Sequence, residues 1–291
     1  MSASATVVEA RGAGPPPRRR RSWRRLASQL LWYGSALVLA LFIVLPIYLI
    51  FNSAVTPAEE RFAYPKALLP IDPSLENIRF FLGAAGVVEA FWRSVIVGLI
   101  TMALALGLGI PAGYAIARFA FRGRDGYRLV ILATRAFPVV VLSIPLAVMY
   151  RQFGIYDSVL GVALMHTTLA LPFAILITSS VFVSIPRELE EAAQTLGCSP
   201  ARAFLRVSLP LALPGLAAAA IFTWVLSWND VFAAAILTLR NPTLPARILS
   251  SLTQAPLHFQ FAAAFIMLVP SLVVIFVIRR YLLGLWGRVV K

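Results

Sequence analysis

Residues 30–51 read LLWYGSALVLALFIVLPIYLIF, 22 positions without a charged side chain. An α-helix rises about 1.5 Å per residue, so this run is long enough to cross the roughly 30 Å hydrocarbon core of a bilayer. A secretory signal has a shorter apolar region and a small-residue cleavage site, so the run reads as an uncleaved first span. Further apolar runs extend from Ser94 to Ala117, Leu129 to Tyr150, Val159 to Val183, Leu211 to Leu239 and Phe261 to Ile278. The pattern predicts six transmembrane helices, with both termini on the same side.

Composition agrees. Of 291 residues, 60% are hydrophobic and 13% charged, with a mean hydropathy of +0.84. Water could not cover that much apolar surface, so a bilayer is the expected solvent. The net charge of +14 invites a nucleic-acid reading. The basic residues, however, sit in short clusters beside the apolar runs, where they set membrane orientation, and no nucleic-acid partner is expected. With Cys198 alone and only His166 and His258, neither an intramolecular disulfide nor a metal cluster can be assembled. The only lysines are Lys66 and Lys291, and no Gly-x-x-x-x-Gly-Lys-Ser/Thr phosphate loop occurs. Energy for any ATP-driven process has to come from another chain.

The chain divides accordingly. Residues 1–29, rich in Ala, Pro and Arg, cannot bury a core and read as a disordered basic cytoplasmic tail. The first span covers 30–51, and residues 52–93, with five acids and four bases, form an extracytoplasmic cap. A core domain of five spans covers 94–283, with a cytoplasmic loop at 184–210, and a cytoplasmic tail covers 284–291. Arg and Lys are retained on the cytoplasmic side of short loops. With the N-terminus inside, the inner segments hold 18 basic residues and the outer ones 7, with Arg135 left within a span about two turns from the inner surface. N-in, C-in is the expected topology.

The loop from Ser184 to Pro210 is the most informative polar stretch. Ser184 is suited to open a helix, Glu188, Glu190 and Glu191 lie in its first turns where the helix dipole favours acids, and Gly197 is suited to end it. Leu189, Ala192, Ala193 and Leu196 fall at i, i+3, i+4 and i+7, an apolar stripe. Ser199 and Pro200 are suited to start a second helix, on which Ala201, Phe204, Leu205 and Ser208 share a face and Arg202 and Arg206 are four apart. Leu209-Pro210 reads as its end. Two short helices bent at a glycine make a knob for a groove on another protein. The same periodicity also suits an element lying on the inner membrane surface.

Glu191-Ala192-Ala193, then Gly197 and later Leu209-Pro210, resemble the EAA loop of the permease subunits of bacterial ABC importers. Three further stretches resemble the carbohydrate, maltose-system class of that family. They are Gly113-Tyr114-Ala115-Ile116-Ala117-Arg118 at the end of the second span, Ser227-Trp228-Asn229-Asp230 in the fifth, and Gly284-Leu285-Trp286-Gly287-Arg288 at the C-terminus. Two departures stand: Leu196-Gly197 replaces the usual Asp-Gly, and Arg93-Ser94 the usual Asn-Ser. Leu-Gly is more familiar from polyamine, iron or sulfate permeases.

The resemblance implies an all-α integral membrane protein of the bacterial cytoplasmic (inner) membrane, with a six-helix, MetI-like ABC importer permease fold. It implies alternating access for a sugar, oligosaccharide or polyol, with a polyamine, metal or oxyanion as the alternative cargo. It also implies partners: two ABC ATPase subunits that carry the ATP and Mg, a second, homologous permease chain, an extracytoplasmic solute-binding protein, and membrane lipid. This chain itself holds no cofactor. The ATPase-coupling residues are then Glu191, Ala192, Ala193, Leu196, Gly197, Ser199, Arg202 and Phe204, with Glu191 facing the ATPase.

Asp230 is the one acid deep in a predicted span, where a charge costs about 2.5 to 3.5 kcal/mol, so it must face protein or water. With Trp224, Trp228 and Asn229 it forms a candidate solute pathway, because ring faces stack on sugar CH groups and carboxylates accept hydroxyl protons. Alternatively, Asn229 and Asp230 bond backbone or a neighbouring helix. His166 reads as a packed, hydrogen-bonded residue. A secondary transporter is disfavoured, since the six spans show no inverted repeat. A membrane-embedded enzyme would need His, Asp or Ser clusters that the spans nearly lack.

Topology is directly testable. In a Cys198→Ser background, a cysteine replacing Gln254 should react with an impermeant thiol reagent on intact cells, and one replacing Arg122 only after lysis. The reverse pattern would overturn the orientation.

Overall fold

The computed structural model describes residues 23–57, 60, 69, 72–252 and 254–286, leaving side chains at 24–26 and 280–286 aside. The described elements are helical: α1 (Trp23–Val55), α2 (Glu76–Gly83), α3 (Val87–Arg118), α4 (Arg124–Ala133), a 3₁₀ turn (Thr134–Ala136), α5 (Val139–Gln152), α6 (Val159–Ser184), α7 (Glu188–Thr195), α8 (Pro200–Ala203), a π turn (Phe204–Ser208), α9 (Leu209–Asn229), α10 (Phe232–Leu237), α11 (Leu244–Ser251) and α12 (Leu257–Trp286). Most of the basic N-terminal tail and the last five residues lie outside the described residues.

Five stretches are long and apolar enough to cross a membrane: Ala27–Val55, Val87–Arg118, Val159–Ser184, Pro200–Asn229 and Leu257–Arg279. The sixth run, expected to cross over Leu129–Tyr150, is broken into two helices that together are long and apolar enough for a span. The helical segment 124–136 meets α5 at 87°, because Pro138 forces Phe137 out of the helical region, to φ −78°, ψ 125°. The fifth span, expected to reach Leu239, stops at Asn229, and Asp230 is extended at ψ 126° before α10 begins. The expected stop at Leu209-Pro210 is absent. There the chain widens into the π turn, with Leu209 N–H bonded to Phe204 O, and runs on into α9, so Pro210 is absorbed into a continuing helix.

The described residues fall into two units, the stretch of α1 up to Leu49 and the body from Ile50 onward. In the first, large apolar side chains from Leu30 to Leu45 are more than half exposed, as a helix apolar on all sides requires of a lipid or protein environment.

The body is organised by backbone approach. Without a hydrophobic drive between helices in lipid, close packing depends on small residues. Gly109 and Gly113, one turn apart on α3, lie against α6: a Cβ at Gly109 would come within 2.8 Å of Ala174 Cβ, and one at Gly113 would overlap Thr178 Oγ1. The approach lets Thr178 Oγ1 donate to Gly109 O at 2.9 Å. On the same helix Gly98 receives the Trp224 ring of α9, 2.8 Å from where its Cβ would be. Helices α3, α6 and α9 therefore form the centre, with α12 on α9. At one end Asn77 of α2 donates to Ala54 O and Thr56 O, closing the carbonyl end of α1. Ser94 Oγ accepts the Leu244 N–H at 2.7 Å, at the start of α11.

Gly113→Leu should disrupt this contact and destabilise the detergent-solubilised protein by about 1 to 3 kcal/mol, the usual cost of overpacking. Gly107→Leu, on the same helix but facing open space, should not. Thermal unfolding of the two variants decides; equal transitions would refute the role given to the α3–α6 contact.

Candidate functional site

Two features carry chemistry, a loop at one end of the bundle and a cavity within it. The loop comprises α7, Gly197, α8 and the π turn. Its helix opens at Glu188 rather than at Ser184, which is the last residue of α6 and donates its hydroxyl back to Val181 O. Gly197 adopts φ +90°, the left-handed conformation that a Cβ strains, and Cys198 N–H bonds back to Ala193 O. Ser199 caps α8, its hydroxyl accepting the Arg202 N–H at 3.4 Å.

The apolar stripe faces outward. Leu189 is 44% exposed, Leu196 87% and Leu205 57%, with Glu191, Ala192 and Arg202 also exposed and Ala193 half-buried. Phe204 turns the other way, its ring 4.5 Å from Tyr114 and 5.9 Å from Phe182.

What holds the loop is Glu190. It is the buried residue of α7. Its Oε1 accepts from Arg118 Nε at 2.7 Å and Ser208 Oγ at 2.5 Å, and its Oε2 accepts from Tyr114 OH at 2.7 Å. The two arginines of this region cap each other's helices. Arg118, ending α3, donates to Ile185 O beyond α6, while Arg187 donates to Ala117 O and Arg118 O at the end of α3. Burial alone would raise the Glu190 pKa, but the bonds from Ser208, Tyr114 and Arg118 prevail and hold it below the ordinary value. The stabilisation is therefore complete above the unfolded value of about 4.3 and is lost as pH falls through the lower folded value.

The cavity, of about 850 Å³, lies among α4, the 3₁₀ turn, α5, α6 and α9. Its walls are largely apolar, with Thr134, Arg135, Thr168, Asn229 and Asp230 as polar points. Arg135 lines the cavity beside the helix break, and its guanidinium carbon stands 3.1 Å from the centre of the Phe173 ring, about 21 Å along α6. Asp230 occupies the break after α9 and not the interior of a span. Its Oδ2 accepts the Ala234 N–H at 3.1 Å, capping α10, and lies 3.1 Å from His166 Nε2 on α6. His166 Nδ1 lies 2.9 Å from Ser227 Oγ, which donates to Thr101 Oγ1.

The tryptophans are not on the cavity wall. Trp224 and Trp228 are 2% and 1% exposed, stack at 5.7 Å and belong to the core shared with α2, α3 and α12. Trp228 Nε1 donates to Met267 O at 2.9 Å. Of the four pathway candidates, then, Asn229 and Asp230 line the cavity and the two rings pack behind it.

Comparison with known proteins places this arrangement. Residues 105–283 match the family described as "Binding-protein-dependent transport system inner membrane component". The chain belongs to that family. It is an inner-membrane transport component, not an enzyme. It is 34% identical over 258 residues, 85% of this chain and 92% of the relative, to the trehalose transport system permease protein SugB of Mycobacterium tuberculosis. It is 27% identical over 266 residues, 88% of this chain and 95% of the relative, to the diacetylchitobiose uptake system permease protein DasC of Streptomyces coelicolor. Its fold superposes with TM-score 0.69 and 20% identity on a crystal structure of a bacterial ABC transporter that imports the acidic polysaccharide alginate, covering 89% of this chain and 98% of that one. Membership thus rests on α3 to α12, the part that carries both the loop and the cavity.

Sequence reading missed Glu190 and Arg135. The available signal for Glu190 was its position one residue before Glu191, which on a helix turns it about 100° to another face. For Arg135 the signal was its charge within a predicted span, but the break at Pro138 that sets its place on the cavity was not read.

Asp230→Ala should leave His166 Nε2 and the Ala234 N–H without their partner, costing about 1 to 3 kcal/mol in unfolding free energy. Asp230→Asn should retain most of the stability, because its amide oxygen can still accept. If neither variant shifts the unfolding transition, the bonds at the break contribute nothing.

Proposed function

We propose that the chain is one half of the membrane channel of an ATP-driven importer, moving a sugar, oligosaccharide or polyol by alternating access. The observation that carries this reading is the α7–α8 knob, an exposed surface of Leu189, Glu191, Ala192, Leu196 and Leu205 held rigidly against the bundle. Such a surface mixes apolar anchors with a free carboxylate, suited to a groove on another protein. One of two ATPase subunits, which bind ATP and Mg, docks there, and the other docks on the second permease chain. A second permease chain completes the channel, and a solute-binding protein delivers on the opposite face. The bias of 18 basic residues against 7 supports the N-in, C-in orientation that puts the knob in the cytoplasm.

Within the cavity, Asn229 and Asp230 offer hydrogen-bond acceptors, Thr134 and Thr168 hydroxyls, and Phe137 and Phe173 ring faces, the combination that suits a polyhydroxylated solute. The carbohydrate names of the relatives point the same way.

Glu191→Ala and Gly197→Val should lower co-purification of the ATPase and binding-protein-dependent uptake together. At Gly197 the space is open, so Val acts only through the strained backbone, about 1 kcal/mol or more. A solute panel for the delivering protein should show binding of neutral saccharides over spermidine, ferric iron and molybdate. Full docking and uptake in both variants would refute the coupling role, and selective oxyanion, iron or polyamine binding the substrate class.

A further inference from the structure

Glu190 is buried at the junction of α3, α7 and the π turn. Resting on the importer reading above, we propose that Glu190 is the positioning residue through which displacement of the docking knob is passed to α3 and α9. Its neighbour Glu191 meets the partner and transmits nothing by itself.

The placement makes this the load path. The other side chains of α7 are exposed or half-buried, so within the helix Glu190 is the one buried grip on the bundle, with Arg187 just before it bonded to the end of α3. Its carboxylate bonds Tyr114 and Arg118 on α3 and Ser208 in the π turn. From Ser208 the helix continues unbroken as α9 to Asn229 at the cavity. A push on the knob therefore reaches the cavity wall along a continuous helix, and reaches α6 through its packing on α3.

A merely structural anchor has no need of charge, since burying an ion pair is seldom better for stability than apolar packing of similar volume. The cluster also has room for a second arrangement. Arg118 Nη2 lies 2.7 Å from Glu190 Oε1, the oxygen already taken by Nε and Ser208, yet it is buried without an aligned hydrogen bond. Rotation of the carboxylate toward a two-oxygen contact with the guanidinium satisfies that donor and releases Tyr114 or Ser208. The π turn supplies the matching freedom in the backbone, because its extra residue permits a helix to slip by one position. Paired states of this kind are what coupling requires, in contrast to a continuously deformable contact.

The test uses the complete transporter, purified with its ATPase and reconstituted in liposomes with the solute-binding protein and solute. Glu190→Gln keeps the shape of the side chain and removes its charge. The expected result is a complex that retains its ATPase subunits but imports about tenfold less solute per ATP hydrolysed, the effect of losing charge-assisted bonds. Tyr114→Phe and Ser208→Ala, each removing one donor, should lower the same ratio by smaller factors, and they decide the matter if Glu190→Gln does not reach the membrane. An unchanged ratio in the assembled variants overturns the proposal. So does loss of the ATPase from all three, which makes Glu190 a docking residue. Failure of the importer reading is separately visible, because the unaltered complex would then show no ATPase and no binding-protein-dependent uptake.

Discussion

A polypeptide inside hydrocarbon has no water with which to bond its N–H and C=O groups, and each break in a helix there must be closed by protein. This constraint explains where the polar residues of the chain lie. The break after α9 is closed by Asp230, whose carboxylate takes the Ala234 N–H and is held by His166. Its charge is thus explained by a helix end and not by the middle of a span. The break at Pro138 lies on the same cavity, with Arg135 beside it over an aromatic face. Irregular backbone occurs where it borders an internal space, and that space is where a polar solute could be accommodated.

The same demand shapes the end of the bundle that carries the knob. Helices α3 and α6 finish side by side because glycines bring their backbones together, and each leaves terminal carbonyls without intrahelical partners. Arg118 and Arg187 close these ends reciprocally. Having been brought there as a cap, Arg118 is also available to Glu190. The buried carboxylate, with Arg187 beside it, then fastens α7 and leaves the apolar stripe exposed. Packing of the glycine ridge, capping of the helix ends and exposure of the apolar stripe are successive consequences of one close approach.

Tryptophans 224 and 228 show why chemical suitability is not placement. Their rings could have met a sugar, but four residues apart on α9 they share a face, and Gly98 leaves a slot on α3 that one of them fills. The face that meets the cavity belongs to Leu226, Asn229 and Asp230 instead.

The apolar runs, the separation of basic residues and the Gly197 turn were legible in the sequence because each depends on local composition or on a single backbone conformation. The all-helical membrane class and the bent loop follow from them. Which residue of α7 turns inward was not legible, since helix periodicity separates Glu190 from Glu191 without naming the buried one. That outcome depends on a carboxylate finding three donors from segments 18 to 76 residues away. Likewise, the placement of Arg135 over Phe173 and the meeting of His166 with Asp230, 64 residues apart, were decided only when neighbouring segments packed on α6. Side-chain periodicity reports the local helix; partners so distant in the chain are chosen by the packing of one helix on another.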